Sequence, residues 1–229
     1  MIEPVWLILI LVAAILGWQL YRLVQACRRA NRVDWGGDLM NLIDGLNRLF
    51  CYRYHRLNVV GLRLPKSGPA IVVANHISGL DPLLLIASSR RPLRFLVARE
   101  QYERFGLTWL LRAIGCIPVD RERRPERALR AALKALRDGN VIALFPHGKI
   151  HLDSDPPRRI KAGALRLAQL TGSCILPLRI TGVVGVGHVV RGVLRRSSAR
   201  VDAFPAIDVA GREPRELLSE LQQILDGKR

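Results

Sequence analysis

The segment Asn75-His76-Ile77-Ser78-Gly79-Leu80-Asp81 holds a histidine and a carboxylate five residues apart. These are the side-chain types that make a general base and the group that orients it, and such a pair can deprotonate a substrate hydroxyl without a serine or cysteine nucleophile. On one continuous α-helix, residues five apart point about 140° away from each other, so the pair requires a turn. The sequence supplies one. Ala70-Ile71-Val72-Val73-Ala74 is a short apolar run of strand type, and Gly79 permits a tight bend. Asp81-Pro82, ahead of Leu83, Leu84, Leu85 and Ile86, reads as a helix N-cap with proline at the first helical position. His76 then lies in the strand-to-helix loop with Asp81 returning toward it. Taken singly, each has an ordinary explanation: the aspartate as a cap, the histidine as a structural or solvated loop residue.

Together, Asn75, His76 and Asp81 resemble the Asn-His-x-x-x-x-Asp signature of the glycerolipid acyltransferases, whose best-known members, of PlsC type, acylate 1-acylglycerol-3-phosphate to phosphatidic acid. The downstream order matters more than the signature itself. Gly115-Cys116-Ile117-Pro118-Val119-Asp120-Arg121 resembles the family's second block, and Phe145-Pro146-His147-Gly148 stands where its Phe-Pro-Glu-Gly block belongs. Lys161-Ala162-Gly163 with Leu167-Ala168 is similar to the helix that follows, and Ile175-Leu176-Pro177-Leu178 to the late strand with its proline. The resemblance covers the centre of the chain, from about Asn75 to Leu178, and leaves both ends to be read on their own. One departure stands out: family members usually carry Phe-Pro-Glu-Gly-Thr-Arg-Ser, whereas this chain has Phe145-Pro146-His147-Gly148-Lys149-Ile150-His151. In the family this block helps shape the acceptor pocket, so the substitution opens the identity of the acceptor.

The resemblance implies a division of labour. His76 is the general base, since a neutral imidazole with an ordinary pKa of about 6.5 suits proton removal near neutral pH. Asp81 accepts a hydrogen bond from the other ring nitrogen, fixing the tautomer and stabilising the imidazolium. The donor is an acyl thioester, acyl-coenzyme A or acyl carrier protein, acting as co-substrate; no cofactor or metal is called for. Asn75, Pro146, His147 and Gly148 are implied at the substrate-binding surface. Arg121 is implied at the acceptor phosphate, although Asp120-Arg121-Glu122-Arg123-Arg124 also reads as a solvated charged loop. Lys149, Arg158, Arg159 or Lys161 are placed by sequence to supply positive charge where the family's arginine is missing.

Other motifs carry less. His147 and His151 could be read as metal ligands, but no nearby cysteine or His/Glu arrangement completes a set. His55 and His188 have no constellation around them and read as surface residues. Gly182-Val183-Val184-Gly185-Val186-Gly187 superficially suggests a nucleotide loop, but it lacks Gly-Lys-Ser/Thr and a convincing following helix, so a flexible turn region is expected. Ser78 lacks the Gly-x-Ser-x-Gly elbow of a serine hydrolase. Cys27, Cys51, Cys116 and Cys174 form no Cys-x-x-Cys pair, which disfavours a disulfide framework or zinc ribbon and fits a reduced, cytoplasmic domain.

The amino-terminal end points to a membrane. Counting from Val5 to Val24 gives about 20 mainly apolar residues, enough to cross a hydrocarbon layer of roughly 30 Å. Gln19 and Arg22 weaken its inner end, so it reads as spanning or as partly inserted, with Tyr21 at the interface and Arg22 snorkelling. No basic residue precedes the apolar run and no clear small-residue cleavage site follows, which disfavours a signal peptide. Arg22, Arg28, Arg29 and Arg32 place the following side in the cytoplasm, where thioester donors are made. A second stretch, residues 39–50, has apolar residues at helical spacing and reads equally as an interfacial helix or as one packed on the core. The 36 Lys+Arg against 19 Asp+Glu, net +17, favour anionic partners: acidic membrane phospholipids, a phosphorylated lyso-acceptor, or the acidic carrier protein. Nucleic acid is disfavoured, because no recognition motif accompanies the charge.

Residues 1–54 are expected to form an anchor and amphipathic helix, and residues 55–229 one acyltransferase domain. Strand-like runs at 57–62, 70–74, 95–98, 117–119, 141–145, 175–180 and 199–204 alternate with helical patterns at 82–89, 102–114, 125–137, 161–171 and 213–225. That alternation predicts an α/β fold, a mixed and mostly parallel sheet flanked by helices. The expected function is a membrane-bound acyltransferase acting on a lysophospholipid in phospholipid synthesis. The alternatives are an acyltransferase for a different lyso-lipid, or a basic lipid-binding protein of the same fold with impaired turnover.

Overall fold

The computed structural model describes residues 4–120, 125–156 and 158–228. The chain opens with α1 (Pro4–Ala30), α2 (Asp38–Leu49) and a π-helical turn (Phe50–Tyr54), then enters β1 (Asn58–Val60), β2 (Ala70–Ala74), α3 (Asp81–Ser88) and β3 (Leu93–Ala98). It continues through α4 (Arg99–Tyr102), α5 (Thr108–Ala113), β4 (Ile117–Val119), α6 (Pro125–Arg137), β5 (Val141–Leu144) and α7 (Gly163–Thr171). It ends with β6 (Ile175–Thr181), α8 (Val189–Leu194), β7 (Arg200–Ala203) and α9 (Pro214–Leu225).

Among the described residues the strands form one seven-stranded sheet in the order β1-β7-β6-β2-β5-β3-β4. Every neighbouring pair is parallel except β6 and β7. The architecture is therefore the expected α/β sandwich on a mixed, mostly parallel sheet. β2 lies between β5 and β6 and is buried along its whole length, which its unbroken apolar run foretells. Its side chains alternate between two cores. Ala70, Val72 and Ala74 face a cluster that includes Leu80, Leu84 and Leu85 around α3, while Ile71 and Val73 face Ala132, Leu136, Leu167 and Leu221 on α6, α7 and α9. Each fully buried Leu or Ile contributes roughly 1.5–3 kcal/mol.

The expected helix over 102–114 is two short helices. Gly106 adopts φ +80°, and Leu107 N–H closes a turn onto Arg104 C=O at 3.0 Å, so the chain bends between α4 and α5. The glycine-containing segment 182–187 is followed by a helix after all, α8, whose role emerges at the site below.

α1 continues past Val24 to Ala30, because its inner end packs on α2. A Cβ on Gly45 would lie 1.9 Å from the Cys27 carbonyl oxygen, so the two backbones touch where only glycine fits. Upstream, α1 is exposed and is long and apolar enough to cross a membrane. α2 packs on α3 as well. Its buried Arg48 pairs with Asp44 at 2.6 Å and donates to the C=O groups of Ala87 (2.8 Å) and Ser89 (2.7 Å) at the end of α3. Those carbonyls have no partner within the helix, and a cation there also faces the negative end of its dipole.

Candidate active site

In a parallel sheet, catalytic groups collect where strands end and loops enter helices. β2 ends at Ala74, and the next residue pins that end. Asn75 donates from Nδ2 to Ile180 C=O at 2.9 Å and accepts Ile180 N–H at Oδ1 at 2.7 Å, locking the loop to β6. Both ends of its amide are thereby engaged by protein.

His76 and Asp81 come together as their spacing predicts, but through a different local structure. Leu80, not Asp81, occupies the cap position, and Asp81 is the first helical residue with Pro82 behind it. Freed from capping, Asp81 reaches backward. Its Oδ2 accepts from His76 Nδ1 at 2.7 Å, Ile77 N–H at 2.6 Å and Ser78 N–H at 2.8 Å. Three donors on one fully buried oxygen fix the carboxylate, and the carboxylate fixes the ring. Ser78 Oγ accepts the Leu80 N–H at 3.1 Å, so it serves the turn. The His76 ring stacks on Phe145 at 4.2 Å between centroids, and its side chain is 19% exposed. With Nδ1 bound to Asp81, Nε2 has no hydrogen-bond partner among the described residues.

The loop is braced from outside by Gly187, the last glycine of the stretch whose pattern predicts a flexible turn, and by α8 with the residue before it. Gly187 N–H donates to Ile77 C=O at 2.8 Å, and Gly79 N–H to His188 C=O at 3.4 Å. A Cβ on Gly79 would come within 2.4 Å of the Val189 carbonyl oxygen, and one on Gly192 within 1.9 Å of Ser78 Oγ. Gly79 thus provides room for α8 to seat against the loop.

The third block packs against His76. Phe145 supplies the stacking ring, a role the sequence showed only as the end of an apolar run. Pro146 is buried and its C=O accepts Lys161 N–H at 3.1 Å; Gly148 turns the chain at φ +76°, and its N–H donates to Phe145 C=O at 3.0 Å. Lys149 and Lys161 are exposed, and His151 N–H donates to His76 C=O at 2.8 Å. Arg121 lies outside the described residues.

His147 is 2% exposed, and neither ring nitrogen has a hydrogen-bond partner among the described residues. It stacks on His151 at 4.5 Å, and Asp226 Oδ1 lies 3.8 Å from Nε2. Burial chiefly, then the neighbouring His151 ring, pushes its pKa below the ordinary 6.5, against an opposing pull from Asp226. His55 is corrected from surface to core: it is fully buried, hydrogen-bonded to Val193 C=O at 3.1 Å and set edge-on against Phe50 and Tyr54. The buried Cys51 and Cys116 thiols are pushed up to about 12 and about 11 by desolvation, which leaves them poor nucleophiles.

A histidine–carboxylate pair at the end of a central parallel strand, with the nearby Ser78 Oγ committed to the turn, fits an acyl-transfer enzyme of the hydroxyl-attack type. The family model described as Acyltransferase matches residues 56–181, more than half of the chain, and the chain belongs to that family. Its relatives are of the PlsC type. It is 38% identical over 129 residues to a "Probable 1-acyl-sn-glycerol-3-phosphate acyltransferase" of Mycoplasma genitalium, covering 53% of this chain and 47% of that protein. It is 29% identical over 150 residues to a 1-acyl-sn-glycerol-3-phosphate acyltransferase of Borreliella burgdorferi, covering 64% and 59% respectively. The chain thus spans about half the length of the curated relatives it matches. The fold is shared with the crystal structure of the 1-acyl-sn-glycerophosphate (LPA) acyltransferase PlsC from Thermotoga maritima, at TM-score 0.66 and 22% identity over 93% of this chain and 86% of that one.

Proposed function

We propose that the protein transfers a fatty acyl group from an acyl thioester to the free hydroxyl of a lysophospholipid, 1-acylglycerol-3-phosphate first among the acceptors, at the cytoplasmic face of a membrane. The observation that carries this is the 2.7 Å bond from His76 Nδ1 to Asp81 Oδ2, which leaves the ring's other nitrogen free to accept a proton. Nε2 takes the acceptor's hydroxyl proton as that oxygen attacks the thioester carbon. The C–O bond forms, the C–S bond breaks, and the departing thiolate collects the proton from the imidazolium. General base catalysis of this kind supplies about 10²–10⁴-fold, and holding two lipidic substrates in register supplies much of the rest. Lys149 and Lys161 are proposed to attract the acceptor phosphate, with His147 and Gly148 shaping its pocket.

A second reading keeps the chemistry and changes the acceptor. It is favoured by His147, a buried ring whose lowered pKa keeps it neutral where the family carries a glutamate. The test is to incubate the full chain in vesicles with labelled acyl-coenzyme A or acyl carrier protein and a panel of lyso-acceptors, beside His76→Ala. Transfer by the native chain alone supports the enzyme, and the acceptor used chooses between the readings. Binding without transfer by both chains overturns the proposal in favour of a lipid-binding protein.

A further inference from the structure

Away from His76, where α1 meets the π-helical turn, lies a cavity of about 320 Å³ lined by Tyr21, Arg22, Gln25, Ala26, Arg29 and Arg53. Its volume falls within the usual range for small-molecule sites. Three arginines line it from two elements. None has a carboxylate within ion-pair distance among the described residues, and two nearby acids are engaged elsewhere: Asp44 by Arg48, and Asp34 by Gly36 N–H and Asn41. Arg22 is held over the Trp18 ring at 4.7 Å, a cation–π contact that orients the group without neutralising it. Three like charges around one space repel, and a bound anion relieves that repulsion.

We infer that this cavity binds the phosphate of an anionic membrane phospholipid, at a site distinct from the one that turns lipid over. Position selects lipid over free phosphate. Counted from Val5, a helix completes about 30 Å at Val24, so Gln25 to Arg29 stand at headgroup height, with Tyr21 and Arg22 within a turn of it, where long side chains snorkel outward. On the membrane side of the cavity, Trp18 and Tyr21 are 55% and 62% exposed, an apolar surface that suits the acyl chains of the same molecule. Guanidinium forks match phosphate oxygens bidentately, and a zwitterionic headgroup would bring its own cation into a space lined by three others. The inference rests on α1 lying in a membrane and does not require acyl transfer at His76.

The test uses the full chain in neutral detergent, with bound lipid counted by native mass spectrometry against phosphatidylglycerol, phosphatidylcholine of the same chains, and inorganic phosphate. Preferential retention of phosphatidylglycerol is expected. Arg22→Gln, Arg29→Gln and Arg53→Gln should each weaken it about fivefold and the triple variant about a hundredfold, at roughly 1 kcal/mol per interfacial arginine. Phosphatidylcholine retention should not change, and His76→Ala should bind as the native chain does. Undiminished phosphatidylglycerol retention by the triple variant overturns the inference, as does its displacement by millimolar inorganic phosphate. Flotation with phosphatidylcholine vesicles separates the causes: a triple variant that floats has kept its membrane helix and lost only the site. A native chain that fails to float removes the membrane reading and this inference with it, while the transfer assay on soluble substrates still judges the chemistry.

Discussion

His76 and His147 each stand near an aspartate, within one neighbourhood, and differ in nearly everything that matters for proton transfer. His76 is 2.7 Å from Asp81, whose oxygen is also gripped by two backbone N–H groups, and its ring is stacked and partly open to solvent. His147 is 3.8 Å from Asp226, buried, and without a hydrogen bond on either nitrogen among the described residues. Residue type is the same in both pairs. What separates them is the backbone: a loop built around Asp81 in one, and an aspartate beyond the end of α9 in the other.

The contrast can be broken by substitution, with the largest effect at the base. His76→Ala should lower kcat by about 10⁴-fold with little change in thermal midpoint, whereas His147→Gln should leave kcat within about tenfold and shift the acceptor KM instead. Equal losses in kcat would erase the distinction. Asp81→Asn should cost about 10³-fold, since the amide still satisfies the loop N–H groups but no longer fixes the imidazole tautomer; Asp226→Asn should leave kcat nearly unchanged. Gly79→Ala probes the brace. Its Cβ would meet the Val189 carbonyl oxygen at 2.4 Å, so we expect about 1–3 kcal/mol of destabilisation in denaturant melts and a kcat loss of about 10²-fold as the loop shifts.

The smallest effect sharpens the comparison through pH. Burial holds the His147 and His55 imidazoles below the ordinary 6.5, so the unfolded chain takes up protons that the folded chain resists. Stability is complete above about pH 6.5 and falls as the pH drops through the folded-state values. His147→Gln should flatten that fall in a thermal-midpoint series, and a curve of unchanged slope would show that this ring is not under the strain its burial implies.

The sequence carried the sheet and the His76–Asp81 pairing plainly. The apolar run 70–74 could only be a buried strand, and five residues of separation forced the turn that joins His76 to Asp81. It misled where one residue type serves two structures. Aspartate before proline reads as a cap, yet the helix starts at Asp81 itself, because bonds to the Ile77 and Ser78 N–H groups outweigh the capping role. His55 looked solitary because its partners, Phe50, Tyr54 and Val193, come from a π-helical turn and from a segment far along the chain. The glycines at 182–187 signalled freedom of backbone, and their service to the catalytic loop appears only once α8 is seated against it.

Arg48 has a mechanical consequence. It rivets α2 to the far end of α3, while Gly45 presses α2 onto α1, so an unbroken line of contacts runs from the lipid-length helix to Asp81 behind His76. An enzyme on a slack tether would sample many heights above a bilayer. With α1 in a bilayer, as proposed, the tilt of that helix would set the depth of the imidazole, and a thicker or thinner membrane would raise or lower His76 Nε2 with it.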